Sequence, residues 1–177
     1  VYDALVHKRL AARHFLEVAE QVAASSAATR SVAEADSSRA AMVSQLQPDL
    51  TWEDVQWMRD QWQGPFFVKG ILDPDDAAIA VDRIGADGVV VTNHGGRQLD
   101  HGLASIDALP AVVARVGDRA EVLLDGGVRR GTDVVTALAL GAKAVLVGRP
   151  WLYGLAAAQE AGVRAVLEIF RDEIARN

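Results

Sequence analysis

The chain has 177 residues and half of them are hydrophobic, which is enough for one domain with a real core and excludes a disordered chain. The net charge is -6 and no basic stripe is present, so nucleic acid is not expected as a partner. The absence of cysteine excludes a disulfide framework and thiolate chemistry, and no apolar run reaches the roughly 18 residues that a membrane span requires.

Residues 1–48 differ in composition from the rest of the chain. Apolar residues recur at helical spacing over residues 2–24, and a Ser- and Ala-rich stretch covers residues 23–41. Because such small side chains bury little apolar surface, the pattern predicts a helical, partly mobile segment. His7 and His14 share one face of this helix, but two ligands are too few for a metal site, and none is expected. The first residue is Val rather than Met, which favours a processed or partial chain.

From residue 49 onward, signals for helices and strands alternate. Thr51 or Asp49 caps the first predicted helix, and Asp73 followed by Pro74 is a strong start for the second. The large side chains predicted to pack on the first helix are Trp52, Val55, Met58 and Trp62. The predicted helices cover residues 51–62, 74–84, 105–116, 132–140 and 157–175, and the predicted strands cover residues 66–68, 89–92, 122–124 and 144–147.

A strand followed by a helix is predicted four times from residue 66 to the end of the chain. GADGVVV at residues 85–91 resembles GAKAVLV at residues 141–147, so the same turn between a helix and a strand is used twice. Repeated βα units build a parallel sheet, which is either an open doubly wound sheet or part of a (β/α)8 barrel. Four units are half of such a barrel.

The stretch VVVTNHGGRQLD, residues 89–100, carries the densest chemistry. A β-branched strand reaches Thr92 and runs into a glycine-rich turn that contains His94 and Arg97. A histidine can exchange a proton near neutral pH, and a guanidinium offers a planar fork of donors that suits a carboxylate. The pattern predicts a ligand-binding loop; the alternative is an ordinary turn with a solvated arginine and a hydrogen-bonded histidine.

Glycine-rich turns after the last two predicted strands indicate a phosphate site. Gly126, Gly127 and Gly131 surround two arginines just before a helix, and Gly148 and Arg149 add a second glycine turn with a cation. Free backbone N–H groups at a helix start favour a phosphate, and barrels commonly place phosphate at the loops after strands 7 and 8. Two ordinary glycine-containing turns are the alternative.

Five short segments follow one another at characteristic spacing. They are VKG at residues 68–70, TNHGGRQLD at 92–100, DGGVRRGTD at 125–133, ALALGA at 137–142 and GRP at 148–150. Together they resemble the FMN-dependent α-hydroxy-acid dehydrogenases and oxidases, a family that includes L-lactate dehydrogenases, glycolate oxidases and mandelate dehydrogenases. The resemblance implies that residues 49–177 are the C-terminal half of an FMN-binding (β/α)8 barrel, the TIM barrel, and that residues 1–48 are the loop after barrel strand 4.

The resemblance also implies FMN as the cofactor and a role for each polar strand end. His94 resembles the base that takes a proton from the substrate, and Arg97 resembles the arginine that holds the substrate carboxylate. Lys69 resembles the lysine beside flavin N1, where a cation stabilises the reduced flavin, and Thr92 falls where the family usually has Ser. The residues implied for the FMN ribityl and phosphate groups are Asp125, Gly126, Gly127, Val128, Arg129, Gly148 and Arg149.

The implied function is FMN-dependent oxidation of a small L-2-hydroxy acid, similar to lactate, to the 2-oxo acid. A cytoplasmic homo-oligomer is expected, with association at the membrane periphery left open. The family's first barrel half is missing here, so the chain alone is expected to be incomplete and to pair with that half from the same or a separate chain. One alternative is a half barrel that binds FMN or phosphate without catalysis. Another is a different FMN barrel enzyme, such as a type 2 isopentenyl diphosphate isomerase.

Overall fold

The computed structural model describes residues 50–97, 99 and 101–177. The chain divides into two units, residues 1–50 and residues 51–177. All described residues except Leu50 belong to the second unit. The helical, less ordered segment predicted for residues 1–48 therefore lies outside the described residues. Within the described ranges, no helix combines the length and the apolar character needed to cross a membrane.

Strands and helices alternate through the described part of the chain. The strands are β1 (Phe67–Ile71), β2 (Gly88–Val91), β3 (Glu121–Asp125) and β4 (Ala144–Leu146). The helices are α1 (Trp52–Gln61), α2 (Pro74–Ala78, continued by a π-helical turn Ile79–Arg83), α3 (Ser105–Val116), α4 (Gly131–Ala139) and α5 (Arg149–Arg176). Short 3-10 turns follow β2 at His94–Gly96 and α3 at Gly117–Arg119.

The four strands form one parallel sheet in the order β1-β2-β3-β4. Strands that are consecutive in sequence are therefore neighbours in the sheet, and a helix makes each crossover. A doubly wound sheet reverses its strand order at a switch point, whereas a barrel adds each strand beside the previous one. The described sheet contains no reversal. It confirms the predicted α/β class with four βα units and favours the barrel.

The core lies between the sheet and helices α2 to α5, and its largest fully buried side chains are on the strands and on α3. The side chains of Val89, Val91 and Leu124 on the strands and of Leu109 and Val112 on α3 are almost completely buried. Burial of one such side chain contributes about 1.5–3 kcal/mol relative to leaving it exposed. This layer fixes the relative positions of β2, β3 and α3, and therefore of the loops at their ends.

The repeated sequence before β2 and β4 folds in the same way both times. Gly85 and Gly141 have positive φ angles of 75° and 101°, which end the preceding helices. Two residues after each glycine, the backbone amide bonds to the strand before: Asp87 N donates to Phe66 O at 2.9 Å and Lys143 N to Val122 O at 2.7 Å. The predicted repeat of one turn is confirmed.

Two predicted helix starts are confirmed by their caps. Thr51 Oγ1 accepts a hydrogen bond from Asp54 N at 3.4 Å, and the Asp54 carboxylate accepts one from Thr51 N at 2.8 Å. Asp73 Oδ1 accepts from Asp75 N at 2.7 Å, and Pro74 occupies the first turn of α2.

The predicted packing of the first helix is wrong for two residues. Met58 is 41% exposed and Trp62 is 55% exposed. Trp52 packs against the core as predicted. Arg59 also attaches the helix: its Nε donates to Gly85 O at 3.1 Å, and its guanidinium lies 5.9 Å from the centre of the Phe66 ring.

Two element boundaries also differ from the prediction. β1 continues to Ile71, so Lys69 lies inside the strand and not after it. α5 begins at Arg149, eight residues before the predicted start at 157, because Pro150 in its first turn has the fixed φ that suits a helix start. Helical geometry is interrupted at Ala158 and Gln159, so α5 has two segments, of which only the second was predicted.

Candidate active site

Polar side chains meet where β1, β2 and β3 end. Lys69 Nζ lies 2.8 Å from Asp125 Oδ2, and Thr92 Oγ1 donates a hydrogen bond to the same oxygen at 3.0 Å. Lys69 lies on β1, Thr92 directly follows β2, and Asp125 ends β3. One carboxylate thus joins the ends of three neighbouring strands. These three residues therefore lie together at one edge of the sheet.

The Asp125 carboxylate is held in its ionised form. Burial raises the pKa of Asp125, but the hydrogen bonds from Lys69 and Thr92 and the charge of Lys69 outweigh it, so the pKa lies below its ordinary value of 3.8. The side chain of Asp125 is only 19% exposed, whereas that of Lys69 is 43% exposed. The carboxylate therefore anchors a lysine whose ammonium group is still open to a ligand.

The lowered pKa predicts how acid affects stability. A carboxylate with a lowered pKa in the folded state stabilises the fold fully above its unfolded value, here about 3.8, and loses that contribution as the pH falls through the folded value. Asp125→Asn in the intact protein should therefore lower the free energy of unfolding near pH 7 and make it less dependent on pH on the acid side. Urea unfolding from about pH 7 down to pH 2 measures both effects.

Asp118→Asn provides the matched control, because Asp118 is exposed in the short turn after α3. Its acid dependence should follow that of the parent. An Asp125→Asn protein whose stability falls with acid as steeply as the parent's would contradict the assigned contribution of the pair.

The turn after β2 presents a histidine and an arginine together. His94 has a left-handed φ of 57°, which is costly for a residue with a side chain. Its amide donates to Thr92 Oγ1 at 2.9 Å, and Gly96 N donates to Asn93 Oδ1 at 3.0 Å, so the turn is held by its own neighbours. His94 and Arg97 are both exposed at this end of the sheet. The predicted proton acceptor, His94, and the arginine predicted to bind a carboxylate, Arg97, are therefore both exposed on one turn.

Asn93 and Ser105 are parts of the site that the sequence analysis missed. Asn93 N donates to Ser105 Oγ at 3.2 Å, and its side-chain amide donates to Leu103 O at 3.3 Å. A Cβ on Gly126 would lie 3.2 Å from Ser105 Oγ, and Gly126 has a φ of 94°, so a glycine is needed there. The signals were an asparagine in a turn and a serine at a helix start, where both side chains commonly bond to backbone.

The predicted free N–H groups at the start of α4 are not free. Arg129 N and Arg130 N donate to Asp133 Oδ2 at 2.8 and 3.0 Å, and Gly131 N donates to Glu173 Oε2 at 2.6 Å. Two carboxylates of the chain thus occupy the place predicted for an anion. These three amides are therefore paired within the chain, because Asp133 lies in the first turn of α4 and α5 brings Glu173 to its start.

Open backbone remains at the two neighbouring glycine turns. A Cβ built on Gly127 or on Gly148 would meet no atom within 4 Å. Arg149 follows Gly148 directly, begins α5, and donates from Nη2 to Gly95 O at 2.9 Å. A short helical segment that begins after the last strand is a common part of phosphate sites in barrels. The turns at Gly127 and Gly148 therefore have room for a phosphate at this end of the sheet.

A parallel βα sheet whose strand ends carry cations, a turn with a histidine and open glycine turns is typical of phosphate-binding (β/α)8 barrels. A family model described as FMN-dependent dehydrogenase matches residues 3–177, and the chain belongs to this family. The family uses FMN, and the resemblance drawn from the sequence motifs is confirmed.

Curated relatives carry several names. The L-lactate dehydrogenase of Caulobacter vibrioides is 56% identical over 133 residues, covering 75% of this chain and 34% of that protein. The L-lactate oxidase of a Nostoc species is 56% identical over 130 residues, covering 73% and 35%. The pre-mycofactocin synthase of Mycobacterium tuberculosis is 58% identical over 127 residues, covering 72% and 32%. The chain spans about a third of the length of these relatives.

Solved structures of mandelate oxidase share the fold. One with benzoyl-formic acid and a variant with a monooxide FMN adduct each align with a TM-score of 0.69 and 51% identity over 72% of this chain, covering 38% and 40% of those chains respectively. The described sheet is therefore part of a (β/α)8 barrel, as predicted.

The described residues fit a phosphorylated flavin. The strand ends supply a lysine anchored by Asp125, the arginine Arg149 and open backbone at Gly127 and Gly148. Cations and unobstructed backbone are the groups that a phosphate and an anionic ring require. Among the residues that the structure describes, no group of three His, Cys, Asp or Glu side chains is placed to hold a metal ion.

Proposed function

We propose that this chain supplies the base, the carboxylate ligand and the phosphate-binding turns of an FMN-dependent enzyme that oxidises a small L-2-hydroxy acid such as lactate to the 2-oxo acid. The observation that carries the proposal is the single sheet edge where Lys69, Thr92 and Asp125 contact one another beside the turn with His94 and Arg97. The relatives named L-lactate dehydrogenase and L-lactate oxidase support it.

The exposed residues of the turn would bind and deprotonate the substrate. Arg97 would hold the carboxylate through two parallel N–H···O bonds, which fixes both the position and the orientation of the α-carbon. His94 would take a proton from the substrate, since a neutral imidazole is a good proton acceptor at the working pH. Bound FMN would accept the two electrons and the second hydrogen that leave the substrate.

The residues around the turn would hold the cofactor. Lys69 and Thr92 would lie against the flavin ring, where the lysine charge favours the reduced form. The ribityl and phosphate groups would be held by Asp125, Gly126, Gly127, Val128, Arg129, Gly148 and Arg149. Open backbone at two of these glycines and the cation at the start of α5 support this part of the proposal.

The remainder of the enzyme is also proposed by analogy with the family. Residues 1–48 would be the loop after barrel strand 4, and an N-terminal barrel half, on the same or a separate chain, would complete the flavin pocket. A homo-oligomer in the cytoplasm remains the expected form.

Anaerobic bleaching of the flavin spectrum tests the function. We expect the intact protein to be yellow and to lose its visible flavin absorbance when L-lactate is added, whereas D-lactate leaves it unchanged. The 177-residue chain alone should bleach far more slowly, because residues outside it would form the other wall of the pocket.

A panel of 2-hydroxy acids tests which substrate the enzyme oxidises. Identity to the lactate, mandelate and pre-mycofactocin enzymes lies between 51% and 58%, so (S)-mandelate should be tested beside L-lactate. A flavin that binds but is bleached by no 2-hydroxy acid would refute the proposed oxidation and favour one of the alternatives, a non-catalytic half barrel or a different FMN barrel enzyme.

A further inference from the structure

Arg149 joins two parts of the site that lie far apart in sequence. Its Nη2 donates a hydrogen bond to Gly95 O at 2.9 Å, across 54 residues of chain. A Cβ on Gly95 would lie 3.0 Å from the same nitrogen, so the guanidinium is packed closely against the turn. Arg149 also begins α5, beside the open backbone of Gly148.

We propose that Arg149 is a positioning residue for the turn that carries His94 and Arg97, and that phosphate binding at the start of α5 and ordering of this turn are coupled through its guanidinium. This inference rests on the proposed function in one respect: the proposed function identifies the bound phosphate as the phosphate group of FMN. Arg149 would then both bind the phosphate and hold the turn that carries His94 and Arg97.

The turn has a contact from outside as well as its own hydrogen bonds. His94, Gly95 and Gly96 all have positive φ angles, of 57°, 65° and 72°, and the first is strained because it bears a side chain. The other side-chain bonds of the turn hold the amides of Asn93, His94 and Gly96, whereas Arg149 holds the carbonyl of Gly95. Arg149 fixes its middle, at the residue between the histidine and the following glycine. Without this contact, the backbone on both sides of His94 has fewer constraints.

The guanidinium can serve both partners at once. An arginine has five N–H donors in a rigid plane, and the bond to Gly95 O uses Nη2, so other donors remain for an anion. An anion that restricts the guanidinium plane would also restrict the carbonyl bonded to it. By linkage, an ordered turn must raise phosphate affinity by the same factor by which phosphate orders the turn.

Hydrogen exchange of the turn in the FMN-free intact protein tests the coupling, with inorganic phosphate as the probe. In the parent, phosphate should slow amide exchange over residues 93–97. Arg149→Met should speed exchange there about tenfold, the scale of one hydrogen bond to a charged group, and should abolish the response to phosphate. Arg164→Met is the matched control: it removes an exposed arginine of α5 that pairs with Glu160, and should leave exchange over residues 93–97 and its response to phosphate at the parent's values.

Exchange within α3 shows whether each variant is folded. Should Arg149→Met prove unfolded, Arg149→Lys gives the same test, since an ammonium keeps the charge but lacks the planar fork, and a smaller increase of the same sign is expected. Parent-like exchange over residues 93–97 in the folded Arg149 variants overturns the proposal, as does a parent turn that does not respond to phosphate. These measurements need no turnover. A protein that oxidises no 2-hydroxy acid but shows the coupling would refute only the proposed function.

Discussion

His94→Gln in the intact enzyme is expected to lower the rate of 2-hydroxy-acid oxidation by about 10²–10⁴-fold, the range that a positioned general base contributes. Glutamine keeps hydrogen-bonding capacity but cannot accept a proton, so FMN content and substrate affinity should change little. The Thr92 hydroxyl that accepts from the backbone of residue 94 is unaffected by the change, so the turn should keep its form. Stopped-flow measurement of flavin reduction by L-lactate, after FMN occupancy is checked, gives the result.

His101→Gln is the matched control for this experiment. His101 is also exposed and also has a left-handed φ, of 60°, but it lies seven residues beyond His94 and has no part in the proposed chemistry. Its reduction rate should equal the parent's. If His94→Gln reduces its flavin as fast as the parent does, another group is the base, and the proposed role of the whole turn is lost with it.

Arg97→Lys is expected to raise the KM for the hydroxy acid and also to lower turnover. A lysine supplies one point charge in place of a planar pair of donors, so the carboxylate binds more weakly and with less defined orientation. Misplacement of the reacting carbon by about 1 Å costs on the order of 10²-fold in rate, and we expect a combined loss in kcat/KM of at least that size. Steady-state kinetics with L-lactate, together with titration of the flavin spectrum with pyruvate, separates binding from turnover.

Arg115→Lys controls for the substitution itself. Arg115 lies on α3, where its Nε donates to Asp75 Oδ1 at 3.2 Å on the outer face of the helical layer. Exposed ion pairs of this kind contribute little, so its kinetics should match the parent's. An unchanged KM in Arg97→Lys would show that the substrate carboxylate is bound elsewhere.

The helices, strands and turns that were predicted correctly are those that depend on a few adjacent residues. The β-branched run before Thr92, the acidic cap before Pro74 and the repeated glycine turns before β2 and β4 each depend on a few adjacent residues. Such signals act through backbone preference and burial, which neighbouring side chains largely determine. The parallel sheet followed from the βα repeat, whereas the strand order that favours the barrel over a doubly wound sheet required the structure.

The features that sequence analysis missed depend on residues that are distant in sequence. Glu173 reaches the amide of Gly131 from 42 residues away, and no local pattern distinguishes that arrangement from a free helix start. The first segment of α5 was missed for a different reason. Gly148 and Pro150 are typical both of the end of a strand and of the start of a helix, and they were interpreted only as the end of β4. The types of the candidate site residues were predicted, whereas the Asp125 link between three strands required the fold.

The ion pair between Lys69 and Asp125 also gives the sheet edge an electrical direction. At β1–β3 a positive and a negative group lie 2.8 Å apart and nearly cancel at a distance, whereas the arginine at the start of α5 donates to an uncharged carbonyl and keeps its full charge. Of these three charged groups, only the arginine at the β4 end therefore contributes a net positive charge at a distance. An elongated ligand with a neutral ring at one end and a doubly charged group at the other has one favoured orientation in this field before any specific contact forms, and the reversed orientation is disfavoured during approach.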